Sequence, residues 1–552
     1  MRLRSIRWRL ILLQRDFSMD EVMMRIVACL LTTLLLSIST VKLLGALQQS
    51  NYKNKVFSGW LKRKDNLYFN RLAVLALCLA LTSAVTALCF SFLGAQEALL
   101  VASIPFFGLL FLFYMMDQKH ALKVPVHFTA RLKRLFAVYA LFIACVGYLL
   151  IAVLGLLADL NGSGIYALIA YVPFAVMPVL TPALLMAANG ATSFFEEKRN
   201  RKFVERAGKV LDEKEIIRIA VVGSYGKTSV KHILRTILSE KYSVVATPQS
   251  FNTPIGIAKT VFSPDFDQKQ IFIAEIGARK DGDVALLCNM VKPDYAIFTG
   301  VCEQHIQGFG SIESVWREKS NVLRCGAKKV MCGAGLRARV QAEYPDEIGK
   351  TILVDDADFE VDTGAAATAF KMTIFGEKVE MKTELLGKMA AENIRLAVIL
   401  AIELGMTADE ILRGVEKLRP IPHRLQLIES NGVYILDDGY NCNPKGAEEA
   451  ILALTRFSGR KFVVTPGIIE CGILQEKING ELGAKLAAAG FDKTILVGNT
   501  LVEAVKRGYE AAGGDKEALI KVETLDKAQK LLKGILQEGD AVLFLNDLPD
   551  VY

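Results

Sequence analysis

The run Gly223-Ser224-Tyr225-Gly226-Lys227-Thr228-Ser229 has the residue types and order needed to hold nucleotide phosphates. Glycines let backbone N–H groups converge on phosphate oxygens, Lys227 adds a full positive charge, and the hydroxyl of Thr228 or Ser229 can ligate Mg²⁺. An apolar run, Ile216 to Val222, precedes this loop, and the helical pattern "VKHILRTILSE" follows it. The phosphates would therefore meet a helix N-terminus carrying partial positive charge. The usual pattern has a further glycine where Val221 stands here. A tight strand-to-helix turn with no ligand is the plain alternative.

Glu275 ends the strand-like run "IFIAEIG", and His305 follows "DYAIFTGVCEQH". In a parallel sheet both would lie at the carboxyl edge that carries the phosphate loop, where a carboxylate and an imidazole can reach a metal–phosphate centre. Taken singly, each also reads as an ordinary loop residue. Lys319, in "WREKSNVL", reads on spacing alone as a surface lysine of an amphipathic helix.

The elements that must position these groups follow from apolar patterning. "IIRIAVVG", "QIFIAEIG", "DYAIFTG" and "KKVMCG" are short β-rich runs separated by stretches long enough for crossover helices. A second series begins near residue 423 with "GVYILDD", "KFVVTPG", "KTILVGN" and "AVLFLND". Residues 351–386 read as a small strand-rich insertion followed by the helix "KMAAENIRLAVILAIELG".

The first third differs. Residues 72–95, 98–116, 135–158 and 160–195 each run without a charged side chain, and about 20 apolar residues cross a bilayer. Residues 26–41 form a fifth, shorter candidate between Arg25 and Lys42. The basic segments Lys53–Arg71 and Lys119–Arg134 place their loops, and everything after residue 195, in the cytoplasm. Full crossing by 26–41 would put Arg2, Arg4, Arg7, Arg9 and Arg15 outside, so a partial or in-plane first segment fits the charge pattern better.

The chain has 552 residues and an apolar fraction of 52%. Its net charge of +8 is explained by basic residues beside the spans, and no basic patch interleaved with aromatics points to nucleic acid. The ten cysteines show neither CxxC nor metal-ligand spacing and read as reduced thiols.

The expected fold is thus α/β: a multi-span α-helical membrane domain (1–195), a helical connector (196–215), a P-loop parallel-sheet ATPase domain (216–422) and a smaller Rossmann-like α/β domain (423–552).

The motifs GSYGKTS, "SFNTPIGIAKTV", "IAEIGARKDGDVALLCNMVKPDYAIFTGVCEQHIQGFGSIESVWREKSNVL", "GKMAAENIRLAV" and "HRLQLIESNGVYILDDGYNCNP" occur in this order. The chain from residue 215 to about 550 resembles the Mur ligases, most closely their D-alanyl-D-alanine-adding (MurF-type) branch. The shorter phosphate loop, with Val221, fits that family.

The resemblance implies that Gly223, Ser224, Gly226, Lys227, Thr228 and Ser229 bind ATP phosphates. Thr228, Glu275, His305 and a carbamylated Lys319 would serve two Mg²⁺ sites. Asn393 would lie beside adenine, Arg424, Asp438, Tyr440 and Asn441 would face the nucleotide from the C-terminal domain, and Asn252 and Thr253 would approach the acyl substrate. Two positions depart from the family: Gly300 where Asn is usual, and Glu392 where His is common.

The implied chemistry is activation of a carboxylate by ATP as an acyl phosphate, then attack by the amine of an amino acid or dipeptide. The spans stand where the family's UDP-binding domain would be. A carboxylate acceptor carried on a membrane lipid is therefore expected, with the ligase domains at the cytoplasmic face of a multi-pass membrane protein and partner enzymes of cell-envelope synthesis nearby. Pro173, Pro178 and Pro182 could open a groove for an isoprenoid chain, or kink a helix for packing alone. Alternatives are a ligase building a poly-γ-glutamate-type polymer, a ligase activating a carboxylate for a partner amidotransferase, and a non-catalytic nucleotide-dependent membrane regulator.

Overall fold

Alternation along a single strand sets the architecture of the ligase region. In β1 (Ile217–Val222), Ala220 and Val222 join one buried cluster while Ile219 and Val221 join another, so the strand is covered on both faces. Full burial of such side chains contributes roughly 1.5–3 kcal/mol each. This is a computed structural model, and it describes residues 19–62, 68–89, 95–118, 125–161, 173–355, 359–440, 442–499 and 501–546. The chain divides into two compact units between Arg199 and Asn200.

Within the second unit, β1 is central in a six-stranded parallel sheet with β2 (Val244–Ala246), β3 (Ile271–Glu275), β4 (Tyr295–Phe298), β5 (Lys329–Cys332) and β6 (Thr351–Leu353), in the order β2-β3-β1-β4-β5-β6. Val221 is paired with Glu275, so the acidic strand end lies beside the start of the phosphate loop. The helix Lys227–Leu238 buries Val230, Ile233, Leu234, Ile237 and Leu238 and packs against the helix Lys388–Glu403.

The strand-rich insertion is an antiparallel sheet of β7 (Glu360–Thr363), β8 (Thr368–Ile374) and β9 (Glu377–Thr383). Its Phe370, Met372, Ile374 and Met381 enter the same cluster as the helix Lys388–Glu403. Thr351–Leu353, at the start of the expected insertion, is instead the edge strand of the large sheet.

The C-terminal sheet has the order β10-β11-β15-β12-β13-β14, formed by β10 (Gln426–Ser430), β11 (Val433–Asp438), β12 (Lys461–Thr465), β13 (Lys493–Val497), β14 (Leu519–Val522) and β15 (Ala541–Leu545). Only β10 runs antiparallel, at the edge. All eight strands expected from the two apolar series are present; the short β2 and β6, together with β10 and β14, complete the sheets.

In the first unit, two described helical segments are long and apolar enough to cross a membrane, Tyr68–Thr86 and Ala130–Leu150. The helix Met19–Ser39 breaks at Thr40 and continues as Val41–Gln49, and the pair Cys29–Ser39 and Val41–Gln49, bent by 45°, makes a third span if counted as one. Thr40 Oγ1 sits 2.8 Å from Tyr139 Oη and bonds Leu36 O at 2.7 Å, which accommodates the break.

The expected span 98–116 falls in the helix Ala95–Gln118, whose described apolar part, Ile104–Met116, is shorter than a full crossing. Of the expected span 160–195, residues 162–172 lie outside the described residues, as do Arg2, Arg4, Arg7, Arg9 and Arg15. Pro173 opens a 3₁₀ turn, and Pro182 lies within the helix Met177–Glu213, which also contains most of the charged connector. Val74, Leu77, Leu81 and Val85 form an exposed apolar strip on the helix Tyr68–Cys89.

Candidate active site

The phosphate loop is closed by contacts that only glycine permits. A Cβ on Gly223 would collide with the Thr299 hydroxyl, and Gly226 sits at φ +73° with Asn393 Oδ1 2.8 Å from where its Cβ would be. Thr299 Oγ1 donates to Tyr225 O at 2.5 Å, tying the loop to the end of β4. A side chain at position 300 would strike the Tyr225 hydroxyl, so the Gly300 departure and the tyrosine in the loop are two aspects of one packing solution. Burial first, then Cys302 and Glu392, push the Tyr225 phenol up to about 12.

Two lysines converge behind the loop. Lys227 Nζ donates to Gly223 O at 2.8 Å and to Ser224 O at 3.3 Å, while Lys319 Nζ donates to the same Gly223 O at 3.1 Å. Lys319 ends the helix Ile312–Lys319, capped by Ser311, and is 1% exposed. Burial, reinforced by the like charge of Lys227, brings its amine down to about 7. The surface-lysine reading of Lys319 is excluded by this burial.

Glu275 is the hub on the other side of the loop. Its Oε2 accepts from Thr228 Oγ1 and Lys231 Nζ, each at 3.0 Å, and its Oε1 from Asn252 Nδ2 at 3.0 Å. Burial raises this carboxyl, but Lys231 and Lys227 outweigh it, and the net position lies below the ordinary carboxylate value. Lys231, one helical turn beyond Lys227 and 1% exposed, also donates to Gln249 O. Sequence reasoning missed Lys231, although its i+4 spacing from Lys227 in "GKTSVK" was the available signal.

His305 sits at φ +61°, with Nδ1 2.5 Å from Oε2 of Glu470. Burial holds its imidazole below the ordinary value; Glu470 opposes this, and Lys319 and Lys227 add to it. Glu470 is the second partner that sequence reasoning did not find, because it lies in the C-terminal domain.

A cleft of about 750 Å³, open to solvent, is lined by Tyr225, Gly226, Ser229, Asn393, Arg424, Asp438 and Tyr440 among others. Arg424 Nη1 donates to Tyr440 O at 2.8 Å, and its guanidinium lies 4.7 Å from the Tyr440 ring centroid. Burial raises Asp438 to about 6 against the pull of Arg424, and its Oδ1 accepts from Leu425 N at 3.0 Å. Asn441 lies outside the described residues. Thr253 caps the helix Pro254–Val261 by accepting from Gly256 N at 3.3 Å.

The structure therefore brings Lys227, Thr228, Glu275 and Lys319 around one loop, joins Asn252 to Glu275, and groups Asn393, Arg424, Asp438 and Tyr440 on one cleft. Among the described residues, no group of three or more His, Cys, Asp or Glu side chains could hold a metal by itself. A hard cation would need further oxygens. Thr228 Oγ1 and Glu275 Oε2 at 3.0 Å have the spacing of adjacent ligands in octahedral Mg²⁺, about 3.0 Å for bonds of 2.0–2.1 Å. That donor pair fits Mg²⁺.

Residues 221–401 match the Mur ligase middle domain, and residues 423–546 match the Mur ligase glutamate ligase domain. The UDP-N-acetylmuramoyl-tripeptide–D-alanyl-D-alanine ligase of Bacillus subtilis is 27% identical over 286 residues, covering 51% of this chain and 62% of that protein. The Escherichia coli protein of the same name is 26% identical over 336 residues, covering 58% of this chain and 73% of that one. The chain thus spans less than two thirds of the Bacillus relative. The crystal structure of MurF ligase from Thermotoga maritima in complex with ADP aligns with a TM-score of 0.57 and 25% identity, over 63% of this chain and 80% of that chain. A MurF structure from Acinetobacter baumannii, at 21% identity and TM-score 0.57, shares the fold over 63% of this chain and 77% of its own.

Proposed function

Residues 221–401 and 423–546 place this chain in the Mur ligase family, and from that premise we propose that it is a membrane-anchored, ATP-dependent amide ligase of cell-wall precursor synthesis. The single observation that carries this reading is the convergence of Lys227 and Lys319 on Gly223 O, beside a loop whose Thr228 is held by Glu275.

In the proposed reaction a carboxylate oxygen attacks the γ-phosphorus of ATP and ADP leaves. The amine of an amino acid or dipeptide then attacks the acyl carbon, inorganic phosphate departs, and the amine's proton is lost to solvent. Lys227 and the N-terminus of the helix Lys227–Leu238 neutralise charge on the transferring phosphoryl group. Arg424, Asn393, Asp438 and Tyr440 hold the nucleoside end in the cleft, with Asn441 assigned there by family resemblance. Asn252, fixed on Glu275, positions the acyl group, with Thr253 ending the same loop.

Mg²⁺ held by Thr228 and Glu275, and by His305 with carbamylated Lys319, would supply charge neutralisation at the phosphates. Lys319 suits carbamylation because burial and Lys227 bring its amine down to about 7, so that about half of it is unprotonated near neutral pH. Addition of CO₂ to that nitrogen releases one proton and makes a carbamate anion, which replaces repulsion from Lys227 with attraction.

Membrane anchoring is supported by the two long apolar segments and by the exposed apolar strip of Val74, Leu77, Leu81 and Val85. We assign the ligase domains to the cytoplasmic side and the acyl acceptor to a lipid-linked precursor. Detergent-purified protein given ATP, candidate amines, and lipid-linked or UDP-linked precursors should release ADP and form an amide with the lipid-linked acceptor. ADP release with the UDP-linked form alone would refute the lipid assignment; none with any acceptor would refute the ligase reading.

A further inference from the structure

The loop that carries His305 is gripped by a segment of the C-terminal domain, Glu470-Cys471-Gly472. Oε2 of Glu470 lies 2.5 Å from Nδ1 of His305, and Glu470 O accepts from Gln307 N at 3.3 Å. Cys471 Sγ, fully buried, donates to Glu303 O at 3.7 Å. A Cβ on Gly472 would stand 2.9 Å from Gln307 N and 3.1 Å from its Cα, so the two backbones meet at glycine contact. Leu474 packs against the cores of both ligase domains.

The strain in this contact is paired. His305 and Glu470 are both non-glycine residues in left-handed backbone, at φ +61° and +64°, and each is turned toward the other. Side-chain exposures of 12% and 19% keep water from replacing the pair readily. A carboxylate in contact with Nδ1 favours the proton on that nitrogen by charge and leaves the lone pair on Nε2, which is the arrangement that metal-binding imidazoles use.

We propose that Glu470 is a positioning residue: from the C-terminal domain it holds Nδ1 of His305 so that Nε2 serves the divalent cation, coupling cation binding to docking of the two ligase domains. The inference rests on the reading of His305 as a metal ligand. Because coupling is reciprocal, the cation favours the docked arrangement as much as docking favours the cation. This explains why an acidic residue of the C-terminal domain is brought into a middle-domain site otherwise governed by Lys227, Lys319 and Glu275.

The test uses the full chain in detergent, with Glu470→Ala and Glu470→Gln. Mn²⁺ binding in the presence of ADP is followed by electron paramagnetic resonance, alongside the Mg²⁺ concentration giving half-maximal ADP release. Glu470→Ala should weaken one Mn²⁺ site by about 10–100-fold, leave ADP affinity unchanged, and recover turnover at high Mg²⁺. Glu470→Gln, whose amide oxygen can still accept from Nδ1, should show a smaller shift and guards against a folding defect in the alanine variant.

Wild-type Mn²⁺ affinity and Mg²⁺ dependence in both variants would overturn the proposal, as would a loss of turnover that Mg²⁺ does not restore. Those results leave the ligase reading intact, since wild-type protein would still release ADP. Wild-type protein that fails to release ADP and binds no second Mn²⁺ would overturn both.

Discussion

Lys231 and Lys319 are both buried near the phosphate loop, one on each side, and they meet opposite surroundings. Lys231 faces a carboxylate, Glu275 at 3.0 Å, with a backbone carbonyl beside it. Lys319 faces a carbonyl that it shares with a second lysine. Burial lowers both amines, but at Lys231 the Glu275 charge opposes the shift, whereas at Lys319 Lys227 deepens it. A buried lysine beside a carboxylate keeps its proton more firmly than one beside a second lysine, and only the latter fits the reactive role proposed for Lys319.

The largest expected effect comes from breaking the paired side. Lys231→Met strands the Glu275 carboxylate without its cation, and we expect a loss of about 3–5 kcal/mol in stability, read from denaturant unfolding. The Glu275 carboxyl should rise as well, so that the stability it contributes above its unfolded value is lost at higher pH during acidification.

Breaking the unpaired side should spare folding and remove chemistry. Lys319→Ala should lower turnover by about 10²–10³-fold while ADP binding persists. A nucleotide-dependent regulator would survive this substitution; the ligase would not.

The pH dependence sharpens the contrast. Below about 7 the Lys319 amine becomes protonated, so its reactive fraction falls about tenfold per pH unit and the need for added bicarbonate in turnover assays should grow. Between about 7 and the ordinary value of 10.5, the unfolded chain holds a proton at this lysine that the folded chain lacks. Stability should therefore rise with pH through that window by up to about 1.4 kcal/mol per unit, and Lys319→Met should flatten the rise.

The smallest effect tests a residue on the edge of the comparison. Thr253 caps the helix at the end of the loop assigned to the acyl substrate, so Thr253→Ala should cost about 1 kcal/mol of stability in denaturant unfolding and raise KM for that substrate by a few-fold.

How much was legible in the sequence follows from the range of each interaction. β1, β3, β4 and β5 announce themselves as apolar runs because parallel strands are buried on both faces, and the phosphate loop is local in sequence. Glu275 was legible as a strand end. Its partners were not, since Lys231 lies 44 residues and Asn252 23 residues away. The Glu470–His305 contact joins two domains, and no periodicity reports it.

The three-residue β2 and β6 are too short to carry a pattern. In the helical unit, apolar composition pointed to helices correctly, but whether each run is one long span depends on breaks such as Thr40, where a hydroxyl pairing with Tyr139 stabilises a bend.

In the proposed reaction the Lys319 amine, brought down to about 7 by burial and Lys227, becomes a carbamate. Carbon-13 NMR of the protein equilibrated with labelled bicarbonate, ADP and Mg²⁺ tests it directly. Wild-type protein should give a carbamate resonance that is absent from Lys319→Ala. Wild-type protein that turns over under the same conditions without that resonance would contradict it.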